Sequence, residues 1–73
     1  MNYPLSDIIE YLFVIIDDFA GAFNLTDSQA YNYIRNHNGI NFVKNNYGVM
    51  HTLDYCEAVE SVAAFCRRNG GKL

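Results

Sequence analysis

The chain has 73 residues and a mass of 8.3 kDa, which limits it to one domain, because proteins divide into separate cores only at several times this length. Hydrophobic residues make up 51% of the sequence, too many for a disordered segment. The net charge of −3 gives no overall field that would attract the protein to nucleic acid or to an anionic membrane. We therefore expect one helical domain over residues 1–73, with a short flexible tail at about 69–73.

The most apolar stretch of the chain, Leu5 to Phe23, is the expected centre of the core, and the first helix is predicted to run through it to about Ala22. Its apolar residues recur with a period of about 3.6 and form one stripe. The members of this stripe are Ile8, Leu12, Ile15, Ile16, Phe19 and Phe23. Ser6 or Asp7 is expected to cap the start of this helix, and Asn24 to end it.

The apolar stretch is not predicted to cross a membrane. Acidic residues interrupt it, and its longest uncharged apolar piece, Tyr11 to Ile16, is far shorter than the ~20 residues of a membrane span. No basic residue precedes it and no small-residue cleavage site follows it, as a secretory signal would require. We therefore expect a cytoplasmic protein.

The second predicted helix has a clear start signal. Thr26 followed three residues later by Gln29 is a capping box, in which the two residues satisfy each other's backbone amides. The helix is expected to stop near Asn36 or His37. Gly39 then stands where a left-handed residue commonly follows a helix.

Two further helices complete the prediction. The third has apolar residues at helical spacing (Ile40, Val43 and Tyr47) and is expected to end at Gly48. Thr52 is the predicted N-cap of the fourth helix, and Gly70 is expected to turn the chain out of it. The apolar face of the fourth helix comprises Tyr55, Ala58, Val59, Val62, Phe65 and Cys66.

Metal and catalytic sites are not favoured by the sequence. Cys56 and Cys66, ten residues apart on one helix, are separated by about 15 Å, too far for a disulfide. A structural zinc site uses four ligands in close pairs, and His37, His51 and the cysteines lack that spacing. We therefore expect no metal, no cofactor and no enzymatic activity.

A small DNA-binding regulator is the alternative function. The second and third helices, joined across Asn36 to Gly39, have the spacing of a helix-turn-helix, with Arg35, Lys44 and Asn45 on its reading surface. Phosphate contacts supply most DNA affinity, and this segment offers only two cations. The charge therefore argues against a nucleic acid partner.

The aromatic residues indicate a docking surface for a protein. Tyr is enriched at protein interfaces because its ring is apolar and its hydroxyl polar. Phe13 and Val14 point away from the core stripe, so either later helices wrap the first helix on two sides or part of its back meets a partner. The predicted partner face comprises Tyr11, Phe13, Tyr31 and Tyr33.

The segment Tyr47, Gly48, Val49, Met50, His51 and Thr52 resembles the Tyr-x-x-Leu-His-Thr signature of the DUF3791 family, short bacterial proteins of unknown function. The resemblance extends from about Ile8 to Val62, and Glu60 matches an acidic position after the His-Thr pair. Met50 replaces the usual Leu.

The resemblance implies a small all-helical protein that accompanies neighbouring effectors, some similar to ADP-ribosyltransferases, in an antitoxin-like role. The residues themselves indicate a structural role for the motif. His51 is expected to bond back to a carbonyl that ends the third helix, next to the Thr52 cap.

Taken together, the sequence predicts an all-α fold, a compact small bundle of two long and two short helices in which the first and fourth pack together. The predicted function is non-enzymatic binding of a protein partner, or of further copies of the same chain, as an accessory module.

Overall fold

The computed structural model describes residues 3–73, so residues 1 and 2 of the predicted domain lie outside the described residues. Within this range the chain forms four helices and no strand, which confirms the predicted all-α bundle. The helices are α1 (Leu5–Phe23), α2 (Asp27–Asn36), α3 (Gly39–Met50) and α4 (Tyr55–Arg68). No helix within residues 3–73 has the length and apolar character needed to cross a bilayer.

The ends of α1 show one wrong and one correct prediction. The N-cap is Pro4, whose fixed φ of −57° leads directly into the helix without a side-chain hydrogen bond. Ser6 and Asp7, predicted as caps, instead lie inside the first turn. At the other end, Asn24 has the predicted left-handed conformation, with φ 58° and ψ 46°, and its amide bonds to the carbonyl of Ala20.

The capping box that starts α2 is confirmed. The amide of Gln29 donates to the Thr26 hydroxyl over 3.1 Å, and the Thr26 amide donates to Oε1 of Gln29 over 2.9 Å. The helix ends at Asn36 with His37 as its C-cap, as expected.

The turn between α2 and α3 corrects the role predicted for Gly39. Asn38, with φ 63°, is the left-handed residue, and Gly39 is already the first residue of α3. Gly39 is buried where α2, α3 and α4 approach one another. A methyl group there would lie 2.9 Å from the carbonyl oxygen of Ile34 and 3.1 Å from Sγ of Cys66. Gly39 is therefore required for space and not for its dihedral angles.

The prediction that α3 ends at Gly48 is wrong, since the helix continues to Met50. The irregularity lies at Asn46, with φ −119° and ψ 15°, whose side-chain amide donates to the carbonyl of Phe42 over 2.8 Å. A side chain at Gly48 would lie 3.1 Å from the ring of Tyr3. Gly48 makes room for that ring inside a continuing helix.

The predicted cap of α4 is also wrong. The N-cap is Asp54, whose carboxylate accepts from the Glu57 amide over 2.8 Å. The hydroxyl of Thr52 points the other way and donates to the carbonyl of Val49 over 2.6 Å. Thr52 therefore closes the end of α3, and the residue two places later starts α4.

The core forms around α1, which contacts α2, α3 and α4, so the predicted packing of α1 against α4 is present. The accessible surface of 4663 Å² matches the roughly 4,600 Å² expected for a folded chain of this mass. The largest fully buried side chains are Phe19, Ile15, Ile34, Val43, Val62 and Cys66.

The segment 69–73, predicted as a flexible tail, folds back onto the helices. Gly70 turns the chain with φ 91°, and the amide of Gly71 bonds to the carbonyl of Cys66 over 2.9 Å. The amide of Leu73 then donates to the hydroxyl of Tyr33 over 3.1 Å, and Leu73 packs against the core. The polar end of Tyr33 is therefore used inside the fold.

Candidate functional site

The motif residues of α3 belong to a cluster of rings that joins α1, α3 and the start of α4. We call this cluster the aromatic corner; its members are Tyr3, Tyr11, Tyr47, His51 and Tyr55. The ring of Tyr11 meets Tyr47 edge-on with centroids 5.3 Å apart, and Tyr3 meets Tyr47 in the same way at 4.9 Å. The hydroxyl of Tyr11 donates to the carbonyl of Met50 over 3.0 Å. The corner therefore fixes the end of α3 against α1.

His51 has the local role predicted for it. As the C-cap of α3, it places Nδ1 2.8 Å from the carbonyl oxygen of Tyr47, one turn earlier. Because a carbonyl only accepts, Nδ1 carries the proton of this hydrogen bond. The imidazole also stacks on the Tyr47 ring, with centroids 4.8 Å apart and an interplanar angle of 12°. These contacts give His51 a structural role at the helix end.

The two inner tyrosines of the corner keep their protons more tightly than a tyrosine in water. Burial, followed by the nearby Tyr55 and Tyr47, raises the pKa of Tyr11. Burial also raises the pKa of Tyr47, with further contributions from Asp7 and Tyr3. Near neutral pH both side chains are therefore neutral phenols, and Tyr11 is able to donate its hydrogen bond to Met50.

Tyr11→Phe is expected to lower the free energy of unfolding by about 1 kcal/mol at neutral pH, because it removes the hydrogen bond to Met50. The folded-state pKa of Tyr11 lies above its unfolded value of about 10. The contribution of that proton to the free energy of unfolding is thus fully present below pH 10, and it is lost as the pH rises through the raised pKa.

The difference in the free energy of unfolding between wild type and Tyr11→Phe should therefore become smaller above pH 10. Denaturant unfolding at pH 7, 9 and 10.5 measures it, and Tyr31→Phe, a change at an exposed tyrosine, is the control. A constant difference across this range would contradict the assignment.

The structure divides the four residues of the predicted partner face. Phe13 and Tyr31 are exposed, at 68% and 44%. Tyr11 is buried in the aromatic corner, which corrects its assignment to a surface. Tyr33 is half-buried and stacks on Phe19 with ring centroids 5.8 Å apart, so only part of it remains available to a partner.

A different apolar surface is present along α1. Leu5, Ile9 and Phe13 follow one another at four-residue spacing, and all three are exposed, as is Val14. We call these four residues the α1 outer face. Sequence reasoning found Phe13 and Val14 and missed Leu5 and Ile9, although the regular spacing of four was visible in the sequence.

The charged residues of the helix that carries this face are all acidic. The helix α1 contains the acidic residues Asp7, Glu10, Asp17 and Asp18, and no Lys or Arg. The Asp27 carboxyl, at the start of α2, lies near Asp17, and hydrogen bonding between these two carboxyl groups raises the pKa of Asp27. The repulsion between the two carboxylates contributes to the same shift. The surface of α1 is therefore both apolar and acidic.

Glu60, the remaining motif residue, is not part of the aromatic corner. It lines an open groove of about 620 Å³ between α1 and α4, together with Asp18, Arg67 and the exposed thiol of Cys56. The floor of the groove is formed by small or apolar residues, among them Ala22, Val59 and Ala63. Within residues 3–73, no three His, Cys, Asp or Glu side chains are grouped to hold a metal ion.

The residues of the alternative DNA-reading surface are all exposed. Arg35 lies in the last turn of α2, and Lys44 and Asn45 lie on α3. Lys44 and Asn45 line a shallow depression of about 310 Å³ that also includes Tyr3 and Tyr47. Two cations contribute little to phosphate binding. The structure therefore gives no more support for DNA binding than the sequence does.

The fold defines the class of this chain as a small all-α protein, and the aromatic corner holds the end of its α3. The chain belongs to the family described as "Protein of unknown function (DUF3791)", whose model matches residues 10–69. This range includes Tyr47, His51, Thr52 and Glu60, which confirms the resemblance drawn from the sequence. No curated protein and no solved structure matches the chain.

Proposed function

We propose that this protein is a non-enzymatic protein-binding module and that the α1 outer face is its docking surface. The observation that supports the proposal is Phe13, a large apolar side chain that is 68% exposed in the middle of the longest helix. Single exposed apolar residues are ordinary, but Leu5 and Ile9 extend this one into a patch.

The relative lengths of the helices explain why this patch is open. The helix α1 has 19 residues, or about 29 Å, whereas its neighbour α2 has 10, or about 15 Å. Because α2 follows α1 after a three-residue connection, it packs back along the C-terminal half of α1. The part of α1 that contains Leu5, Ile9 and Phe13 therefore extends beyond the reach of α2.

The aromatic corner supports a binding role more than a catalytic one. Its histidine is used in a backbone hydrogen bond and a ring stack, and Tyr11 is used in a bond to Met50. We propose, in line with the resemblance, that the module is an antitoxin-like accessory of an effector protein in the cytoplasm. The corner would hold the fold rigid while the outer face of α1 meets the effector.

Phe13→Glu is expected to abolish capture of the partner, because it places a charge at the most exposed member of the apolar patch. The tagged protein is incubated with a lysate of its source cells at two salt concentrations, and the retained proteins are identified by mass spectrometry. Val49→Glu is the matched control, since Val49 is also 68% exposed but lies on α3. It should leave capture unchanged.

The proposal fails if no stoichiometric partner is retained by the wild-type protein, or if Phe13→Glu retains the same partner equally well. Equal loss with both variants would also count against the α1 outer face. If the partner proves toxic when expressed alone, co-expression of this protein should restore growth, and the Phe13→Glu variant should not.

A further inference from the structure

Three of the four residues of the α1 outer face form a ridge of the kind that fits into the groove of another helix. Leu5, Ile9 and Phe13 are separated by four residues each, and residues at this spacing form the commonest contact ridge of packed helices. The ridge is about 12 Å long, because eight residues separate its ends at 1.5 Å each. Two to three turns of a partner helix are enough to cover it.

The charges beside the ridge restrict what the partner helix contains. Glu10 and Asp17 lie three residues before and four residues after Phe13, so both are its direct neighbours on the helix surface. They also separate Phe13 from Val14, the other apolar member of the face. Asp27 adds a third carboxylate beside Asp17. A docked helix therefore meets an apolar ridge with an acidic border and no cation from α1.

From this complementarity we propose that the occupant is a basic amphipathic helix of the partner protein, a step that rests on the proposed function. Its apolar side covers Leu5, Ile9 and Phe13, and its Lys or Arg residues face Glu10 and Asp17. The same face of a second copy is a poor occupant, because it would bring those two carboxylates against their own equivalents.

The test is a selection of displayed 14-residue amphipathic peptides in which the apolar positions are fixed and the flanking positions vary among Lys, Glu, Gln and Ser. Selection on the wild-type protein should enrich Lys over Glu at the flanking positions at least about threefold. The affinity of the best peptide, measured by fluorescence anisotropy, should fall about fivefold for Glu10→Gln/Asp17→Asn, as expected for two exposed ion pairs. Raising the salt concentration should weaken the wild-type complex.

The matched control is Glu57→Gln/Glu60→Gln, which removes the same amount of charge from exposed positions on α4. It should change the affinity less than twofold. An equal loss with both double variants would show a general field effect and overturn the assignment to α1. Enrichment of Glu, absence of any binder, or peptides that bind Phe13→Glu as tightly as wild type would also overturn it.

Failure here can be separated from failure of the proposed function. If Phe13→Glu abolishes lysate capture while the selected peptides are not basic, protein binding at the α1 outer face stands and the basic occupant is wrong. If sedimentation shows a dimer that Phe13→Glu dissociates, the occupant is a second copy and the inference is overturned. If capture does not depend on Phe13, both proposals fail.

Discussion

Phe19→Ala is expected to lower the free energy of unfolding by about 3–5 kcal/mol, because Phe19 is fully buried at the centre of the core and its removal leaves a cavity. Small domains unfold with a free energy that starts at about 5 kcal/mol, so this variant should be close to unfolded. Urea unfolding followed by circular dichroism measures the change.

Phe13→Ala is the matched control for this prediction, with the same substitution in the same helix. Because Phe13 is exposed, its loss should change the free energy of unfolding by less than about 0.5 kcal/mol. A cost near that of Phe19→Ala would show that Phe13 packs in the core, and the α1 outer face would then lose its most exposed residue. A neutral result would leave Phe13 as an apolar residue that folding does not require.

Gly39→Ala is expected to lower the free energy of unfolding by about 1–3 kcal/mol, although Ala is normally the better helix former. The added methyl group would lie 2.5 Å from Cγ2 of Ile34 and 2.9 Å from the Ile34 carbonyl oxygen. The carbonyl is part of α2, so α2 and α3 must separate to accommodate the methyl group. Thermal or denaturant unfolding provides the measurement.

Gly21→Ala is expected to have the opposite effect to Gly39→Ala and to raise the free energy of unfolding. No atom outside its own helix lies within 4 Å of a methyl group at this position, so the substitution should stabilise α1 by about 0.5–1 kcal/mol. If both glycine variants were stabilising, the close approach at Gly39 would be contradicted. If both were destabilising, α1 would have an unrecognised requirement near Gly21.

The predictions that the structure confirms depend on interactions within about four residues. The capping box of Thr26 and Gln29, the left-handed Asn24 and the bond from His51 to the Tyr47 carbonyl all connect residues close in the chain. Such interactions form wherever the local backbone is helical, so their residue types reveal them. The apolar stripe of α1 follows the same logic, because its period reports the helix that carries it.

The wrong predictions of helix ends occur where several neighbouring residues are able to cap or terminate the helix. Thr52 and Asp54 are both common N-caps, and the choice of Asp54 depends on how Thr52 closes α3. The sequence predicts helix terminators at Gly39 and Gly48, yet both are residues of α3, at positions where a side chain would meet a neighbouring group. A glycine required for close packing and one required for a left-handed turn look alike in sequence.

The candidate binding surface shows most clearly which features cannot be predicted from the sequence. The sequence alone determined the helical class, the apolar stripe of α1, several caps and the membership of a family, because local periodicity and short motifs carry that information. Only the tertiary structure decided which aromatic residues are exposed. Tyr11 is buried and its hydroxyl bonds to Met50, 39 residues away, and the hydroxyl of Tyr33 bonds to Leu73, 40 residues away, whereas Phe13 has no comparable partner among the described residues. Burial of a tyrosine depends on which distant segment covers it, and one-dimensional spacing does not contain that information.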